Sequence, residues 1–348
     1  MPSWGGILKE LGETKGPDGQ PGFDFVRRKY LAQHHQRTRR AVISYATKWT
    51  DADPEVPPTM ISVADGDMQG FMEACYQVTE KELDLILHSP GGSLEAAEAI
   101  VDYLRCRFDH IRVLVPHAAM SAASIMACAA DVVIMGEHSS LGPIDPQFIL
   151  TTPLGKRVAP AQAIRDQFDL AKKECQDPKL LSAWVPMLQQ FGPDLLIQCA
   201  NHTVLSHDLV LKWLEQYMFR GDADARNKAQ VIADWLGDHN SFKSHARHIP
   251  RRDLEAKGMK IQRLEDDKQL EDDVLSIFHS ITHTFNQTAA VKIIENHKGN
   301  AFVNQLQKIM IQQGPPPPQK PPQGPLPGLP QPATPATPAP PFKKKFTP

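Results

Sequence analysis

The sequence is poor in cysteine, and none of its cysteines sit in a pairing or metal-binding pattern. Cys75, Cys106, Cys128, Cys175 and Cys199 are dispersed, odd in number and without a CxxC spacing. That argues against a disulfide framework or a cysteine zinc site, and a reducing, cytoplasmic setting is expected. Charge of one sign is also lacking. The formal net charge is −2, which leaves no basic footprint for nucleic acid. A long uninterrupted apolar run is missing too. The most apolar window, residues 118–135, is alanine-rich and contains Asp131, so it reads as a buried helix and strand and not as a membrane span. The opening "MPSWGGILKELGETKG" has no basic region followed by an apolar core, so no signal peptide is expected. Without secretion, the triplets at Asn201 and Asn286 are not read as glycosylation sites.

What is present falls into three parts. Residues 1–40 are a polar lead-in in which "FDFVRRKYLAQHHQRTRR" has the pattern of a basic amphipathic helix, read as a solvated face. Residues 41–312 form the main domain. Its first hundred residues alternate strand patterns ("AVISYAT", "LDLILHS", "IRVLVPH", "DVVIMG") with helix patterns ("EAAEAIVDYLRCR", "MSAASIMACAA"). Such alternation predicts an α/β fold with a parallel central sheet. Residues 160–237 carry only helical patterns, an added helical segment. "MKIQRLE" reads as a strand and residues 271–311 as helix. Residues 313–348 are a proline-rich tail. The last 34 residues hold 15 of the 31 prolines and cannot form a packed core; the tail is a solvated arm or a partner-binding segment.

The chemistry gathers at two turns. In "LILHSPGGSLEAAEAI" a buried strand stops at Pro90, Gly91 and Gly92, and a helix pattern follows at once. Glycines there permit backbone angles closed to other residues and let another group approach. Their N–H groups lie at a helix N-terminus, a place for an anion or a developing oxyanion. A plain strand-to-helix turn explains the same letters. In "VPHAAMSAASIMACAAD", Ser121 stands among Ala118, Ala119, Ala122 and Ala123 at a second strand-to-helix turn. Ser121 could be an N-cap. Together with Gly91 and Gly92, though, the Ala122 N–H would complete an oxyanion hole around a serine nucleophile. A rigid turn, "LGPIDPQ", follows the next strand.

"HSPGGSL", "AAMSAAS" and "LGPIDPQ", in that order, resemble the ClpP/crotonase superfamily, and within it the signal-peptide-peptidase-A-like serine dehydrogenase proteinase family. "KSHARHIPRRDLEAKGMKIQRLEDD" and "KIIENHKG" extend the resemblance over roughly residues 20–300. It implies a spiral of ββα units around a parallel sheet, homo-oligomers, Ser121 as nucleophile, and Gly91 or Gly92 with Ala122 as the oxyanion hole. Unlike the family's membrane-anchored members, the chain shows no transmembrane segment.

The residue that activates the serine is less legible. Peptidases of the ClpP type place a histidine in the segment matching "GPIDPQ"; here Asp145 occupies it. Signal peptide peptidases use a later lysine, for which Lys156, in a glycine-containing loop, is the nearest candidate. Lys172 and Lys173 lie in a charged, solvated helix. The third option is a triad in swapped order: Ser121 as nucleophile, His245 as base with His239 and His248 close by, and Asp145 orienting the imidazole. No cofactor is expected and no metal site is assigned, since His239, His245 and His248 lack a matched acidic or cysteine ligand. The expected function is hydrolysis of peptide bonds in a peptide or protein substrate through an acyl-enzyme. The alternatives are a non-catalytic scaffold of the same fold and a crotonase-like enzyme acting on an acyl-CoA.

Overall fold

The computed structural model describes residues 3–306, apart from 17, 18, 20, 52, 153 and 154. The proline-rich tail lies outside the described residues. Twelve strands occur among the described residues: β1 Ala41–Thr47, β2 Glu82–His88, β3 His110–Val115, β4 Ala118–Ala119, β5 Val132–Met135, β6 Ser140–Leu141, β7 Gln147–Thr152, β8 Gly155–Pro160, β9 Ile249–Pro250, β10 Ile261–Arg263, β11 Ala290–Asn296 and β12 Ala301–Gln305. Seven form the central sheet, in the order β10-β5-β3-β2-β1-β11-β12. The pairs from β10 to β1 are parallel, and β11 and β12 close the edge antiparallel.

Alternation along each strand divides the core between the two faces. Ile43, Tyr45, Leu85, Leu87, Val113 and Val133 pack with helices Asp67–Ala74, Leu94–Arg107, Ala122–Cys128 and Leu195–Trp213. Val42, Ile86, Leu114, Ile134 and Ile293 pack with helices Trp4–Glu13, Phe23–Thr38 and Lys268–Gln287. A sheet covered on both faces needs strands that are apolar at nearly every position, as these are. Residues 161–237 are helical throughout their ordered elements, with a π-helical turn at Leu214–Met218.

Three expectations are corrected. The helix read over residues 271–311 ends at Gln287, and an antiparallel hairpin of β11 and β12 follows. Val291, Ile293 and Ile294 favour a strand, β11 is buried at every position, and Gly299 turns the hairpin at φ 88°. Lys156 lies not in a loop but in β8, opposite Thr151 of β7. The basic helix is not simply a solvated face. Arg27 and His34 are buried in it, because acidic partners arrive from the sheet and a neighbouring helix. Arg27 Nε donates to Glu295 at 2.7 Å, and His34 Nε2 meets Asp84 at 2.8 Å.

Candidate active site

The Ser-Pro-Gly-Gly turn leaves the C-terminal end of β2 and enters helix Leu94–Arg107, whose Ser93 hydroxyl accepts the Ala96 N–H at 3.1 Å. Gly91 and Gly92 have φ of 89° and 155°, angles that glycine adopts without a Cβ penalty. Two neighbours clamp the turn. Val63 donates its N–H to the Gly91 carbonyl at 2.8 Å and accepts from Ser93 N–H at 2.9 Å. On the other side, Ser89 N–H donates to the Ala118 carbonyl at 3.2 Å, and Met120 N–H donates to the Ser89 carbonyl at 2.9 Å. The two motif turns are thereby pinned to each other.

Ser121 begins the second turn with φ 52° and ψ −122°. A non-glycine residue held there costs on the order of 1–3 kcal/mol, and such strain marks places where the surroundings over-determine the backbone. A sharp strand-to-helix elbow of this kind thrusts a serine hydroxyl outward. The hydroxyl caps nothing: no side-chain capping bond is made at the start of helix Ala122–Cys128. Small residues make the elbow possible. Ala119, Ala122 and Ala123 are buried beneath it. Ser124 secures it, donating to the Ala119 carbonyl at 2.7 Å and accepting Gly142 N–H at 2.8 Å.

Among the described residues, the N–H groups of Gly92 and Ala122 meet no acceptor, whereas Gly91 N–H donates to the Ser89 hydroxyl at 3.2 Å. Gly92, Ser121 and Ala122 line one cavity of about 210 Å³, together with Ile144, Pro146 and Gln147 from the "GPIDPQ" turn and His202 and Ser206 from helix Leu195–Trp213. An unpaired hydroxyl beside two unpaired N–H groups can receive a carbonyl carbon and its oxygen.

Asp145 is buried, and its carboxylate accepts from His245 Nδ1 at 2.8 Å and from His239 Nδ1 at 2.9 Å. A carboxylate can only accept here, so each imidazole carries its proton on Nδ1 and turns Nε2 away. His248 is elsewhere, with Nδ1 2.7 Å from the Ser140 hydroxyl. Neither His239, His245 nor Lys156 lines the Ser121 cavity. Lys156 is exposed on the β7–β8 hairpin.

Sequence reasoning missed several residues. His202 is the imidazole that lines the cavity, 3.9 Å from the Glu95 carboxylate; in sequence it is one more polar residue on a long helix. Lys292 is fully buried in β11 and donates to Asp67 at 2.6 Å and to the Ser62 carbonyl at 2.8 Å. Asp67 also accepts from Tyr45 at 2.8 Å and from Ala64 N–H at 3.0 Å. This cluster holds residues 62–64, the segment whose Val63 grips the glycine turn. A lysine flanked by Val291, Ile293 and Ile294 is the sequence signal that pointed to it. His88, just before the turn, is held neutral: burial, with help from the neighbouring His117, pushes its pKa down to about 3.

No helix among the described residues is long and apolar enough to cross a membrane. Two uncharacterized proteins of Methanocaldococcus jannaschii are similar to parts of the chain. One is 45% identical over 82 residues, 24% of this chain and 27% of the relative. The other is 45% identical over 65 residues, 19% of this chain and 22% of the relative. The chain thus spans about a quarter of the length of these relatives. Among solved structures, a membrane-bound stomatin-specific protease, studied as a serine-to-alanine mutant, aligns at a TM-score of 0.35 and 12% identity, over 61% of this chain and 79% of that one. A lysine-to-alanine mutant of that protease, in complex with a substrate peptide, aligns at the same score and identity over 61% and 75%. A likeness of that size says nothing about activity. The family model for ClpP-like SDH-type serine proteinases matches residues 66–176. That segment, which carries Gly91, Gly92, Ser121, Asp145 and Lys156, is similar to the ClpP-like, SDH-type serine proteinases.

Proposed function

We propose that the chain is a serine peptidase that cleaves peptide bonds through an acyl-enzyme on Ser121. The observation that carries this reading is the strained Ser121 elbow, with its hydroxyl free and the unpaired N–H groups of Gly92 and Ala122 beside it in one cavity. Ser121 Oγ attacks the substrate carbonyl carbon as its proton passes to a base. The carbonyl oxygen, now negative, takes the two N–H groups. The base returns the proton to the amine as the C–N bond breaks, and water then hydrolyses the ester. His245 is the base and Asp145 its orienting partner, with the Asp145–His245 hydrogen bond in support. The substrate is a peptide or protein segment that threads the cavity.

A second reading of the base has its own support. On the β7–β8 hairpin, Ile149 pairs with Val158 and Thr151 with Lys156, so all four share a face. Ile149 and Val158 are 70% and 65% exposed. A neighbouring copy covering that apolar face would strip water from Lys156, the condition under which a lysine serves as a base.

A fluorophosphonate probe tests the function. The wild-type chain should label at Ser121 and the Ser121→Ala variant should not; a wild-type chain that folds and stays unlabelled points to a scaffold or to acyl-CoA chemistry. Within that assay His245→Gln, His202→Gln and Lys156→Ala separate the bases. Loss in His245→Gln alone supports the triad, loss in Lys156→Ala supports the hairpin lysine, and loss in His202→Gln moves the role to the cavity histidine.

A further inference from the structure

Away from the cavity, at the edge of the sheet where the parallel strands begin, three side chains from distant segments converge. His35 comes from the last turn of helix Phe23–Thr38, Glu80 from just before β2, and His297 from just after β11. One ligand atom from each lies within 4.8 Å of the other two. The Glu80 carboxylate oxygen Oε1 stands 3.7 Å from His35 Nε2 and 3.6 Å from His297 Nε2.

These distances are longer than those of a hydrogen-bonded ion pair. A carboxylate closing on an imidazole reaches about 2.7–2.9 Å, as Asp145 does with both of its histidines. Glu80 instead stands off from two imidazoles almost equally. Donor atoms in a tetrahedral set at 2.0–2.1 Å from an ion are about 3.3–3.4 Å apart. Movement of a few tenths of an ångström brings the Glu80 oxygen to that spacing from each imidazole nitrogen. The stacked rings of His35 and His297, 3.9 Å apart and 17° from parallel, would splay so that both lone pairs meet.

Two further features favour an ion over an empty cluster. His297 is buried, and its Nε2 has no hydrogen-bond partner; an isolated buried polar atom is costly unless something satisfies it. The far side of the His35 ring is also held as in metal-binding histidines. His35 Nδ1 lies 2.7 Å from the Arg40 carbonyl. A carbonyl only accepts, so the proton is on Nδ1 and the Nε2 lone pair faces Glu80. His297 Nδ1 accepts the Val42 N–H at 3.2 Å and lies 3.4 Å from the Val42 carbonyl; an ion on Nε2 selects the other tautomer, in which Nδ1 donates to that carbonyl.

We propose that His35, Glu80 and His297 bind one divalent transition-metal ion of the zinc class, with water completing the coordination. Two imidazoles and a carboxylate suit such an ion better than calcium or magnesium. The ion ties the end of helix Phe23–Thr38 and the β11–β12 hairpin to the start of β2. It sits at the opposite end of the parallel strands from Ser121, so its role is structural.

The test uses the full chain, stripped with a chelator, dialysed and titrated with zinc chloride by calorimetry, with melting followed in parallel. One ion per chain and a higher melting temperature are expected. Glu80→Gln and His35→Gln, which change partly exposed side chains and nearly keep their size, should weaken binding by at least about 10-fold and abolish the zinc-dependent shift. Circular dichroism of the metal-free variants checks that they remain folded. Wild-type chain that takes up no stoichiometric zinc overturns the site. So does zinc binding that survives both substitutions, which would place the ion at other histidines.

Discussion

Gly91 and Ser121 are packed so closely that a Cβ on Gly91 would lie 2.7 Å from the Ser121 Cβ and 2.8 Å from the Ala122 nitrogen. The two turns quoted from the sequence are therefore one structure: the bare glycine makes room for the strained serine. Gly91→Ala should push the elbow and the Ala122 N–H out of place. Losing an oxyanion donor costs on the order of 10²–10³ in turnover, and a similar fall in the rate of fluorophosphonate labelling is expected with the far-UV spectrum preserved. An unchanged labelling rate would show that the close approach has no bearing on Ser121.

Asp145 serves two imidazoles, and the triad reading says that they are unequal. His245→Gln and Asp145→Asn should each lower peptidase turnover by roughly 10³–10⁴, while His239→Gln changes it little. Turnover is compared at substrate saturation, with thermal melting as the control for folding. Equal, modest losses in all three would mark the cluster as a structural anchor of the "GPIDPQ" turn.

Lys292 connects β11 to the glycine turn through Asp67, Ser62 and Val63. Lys292→Met leaves the Asp67 carboxylate buried without its cation, a change that typically costs about 3–5 kcal/mol. Urea denaturation measures that loss. The folded fraction should also acylate more slowly, because residues 62–64 no longer hold the glycines in place. Full-speed acylation by the remaining folded protein would cut the link between this ion pair and the site.

His88 makes a pH prediction with a defined sign. Burial and His117 lower its pKa to about 3 in the folded chain, against about 6.5 for a free imidazole. Between those values the unfolded chain carries a proton that the folded chain refuses, so stability rises with pH across the window and is complete above about 6.5. His88→Gln retains a donor for the Ala118 carbonyl but cannot titrate. Its urea midpoint should fall less than that of the wild type between pH 7 and pH 4.5. Parallel curves for the two proteins would contradict a neutral buried imidazole.

Much of the fold was legible along the chain because its signals are local. Five parallel strands follow from short apolar runs, and the helices between them from apolar residues at helical spacing. The Ser121 elbow and the glycine turn were legible too, since backbone angles closed to most residues demand glycine or small neighbours at fixed positions. The β11–β12 hairpin was misread because Phe285, Val291 and Ile294 suit either period; pairing with β1 decided it. Arg27 and His34 were read as solvated because their acidic partners, Glu295 and Asp84, lie far away in sequence.

By itself, the sequence determined the layered α/β scaffold and the two turns, with Ser121 at the second, since these depend on residues next to one another. Only the tertiary structure decided what the chain brings together from afar. It put His245 and His239 on one Asp145 carboxylate, tied Lys292 to the segment that grips the glycine turn, left Lys156 exposed, and brought His35, Glu80 and His297 together. No spacing rule encodes those meetings. They depend on strand order and on the way each charged group, once buried, must find its partner in another element.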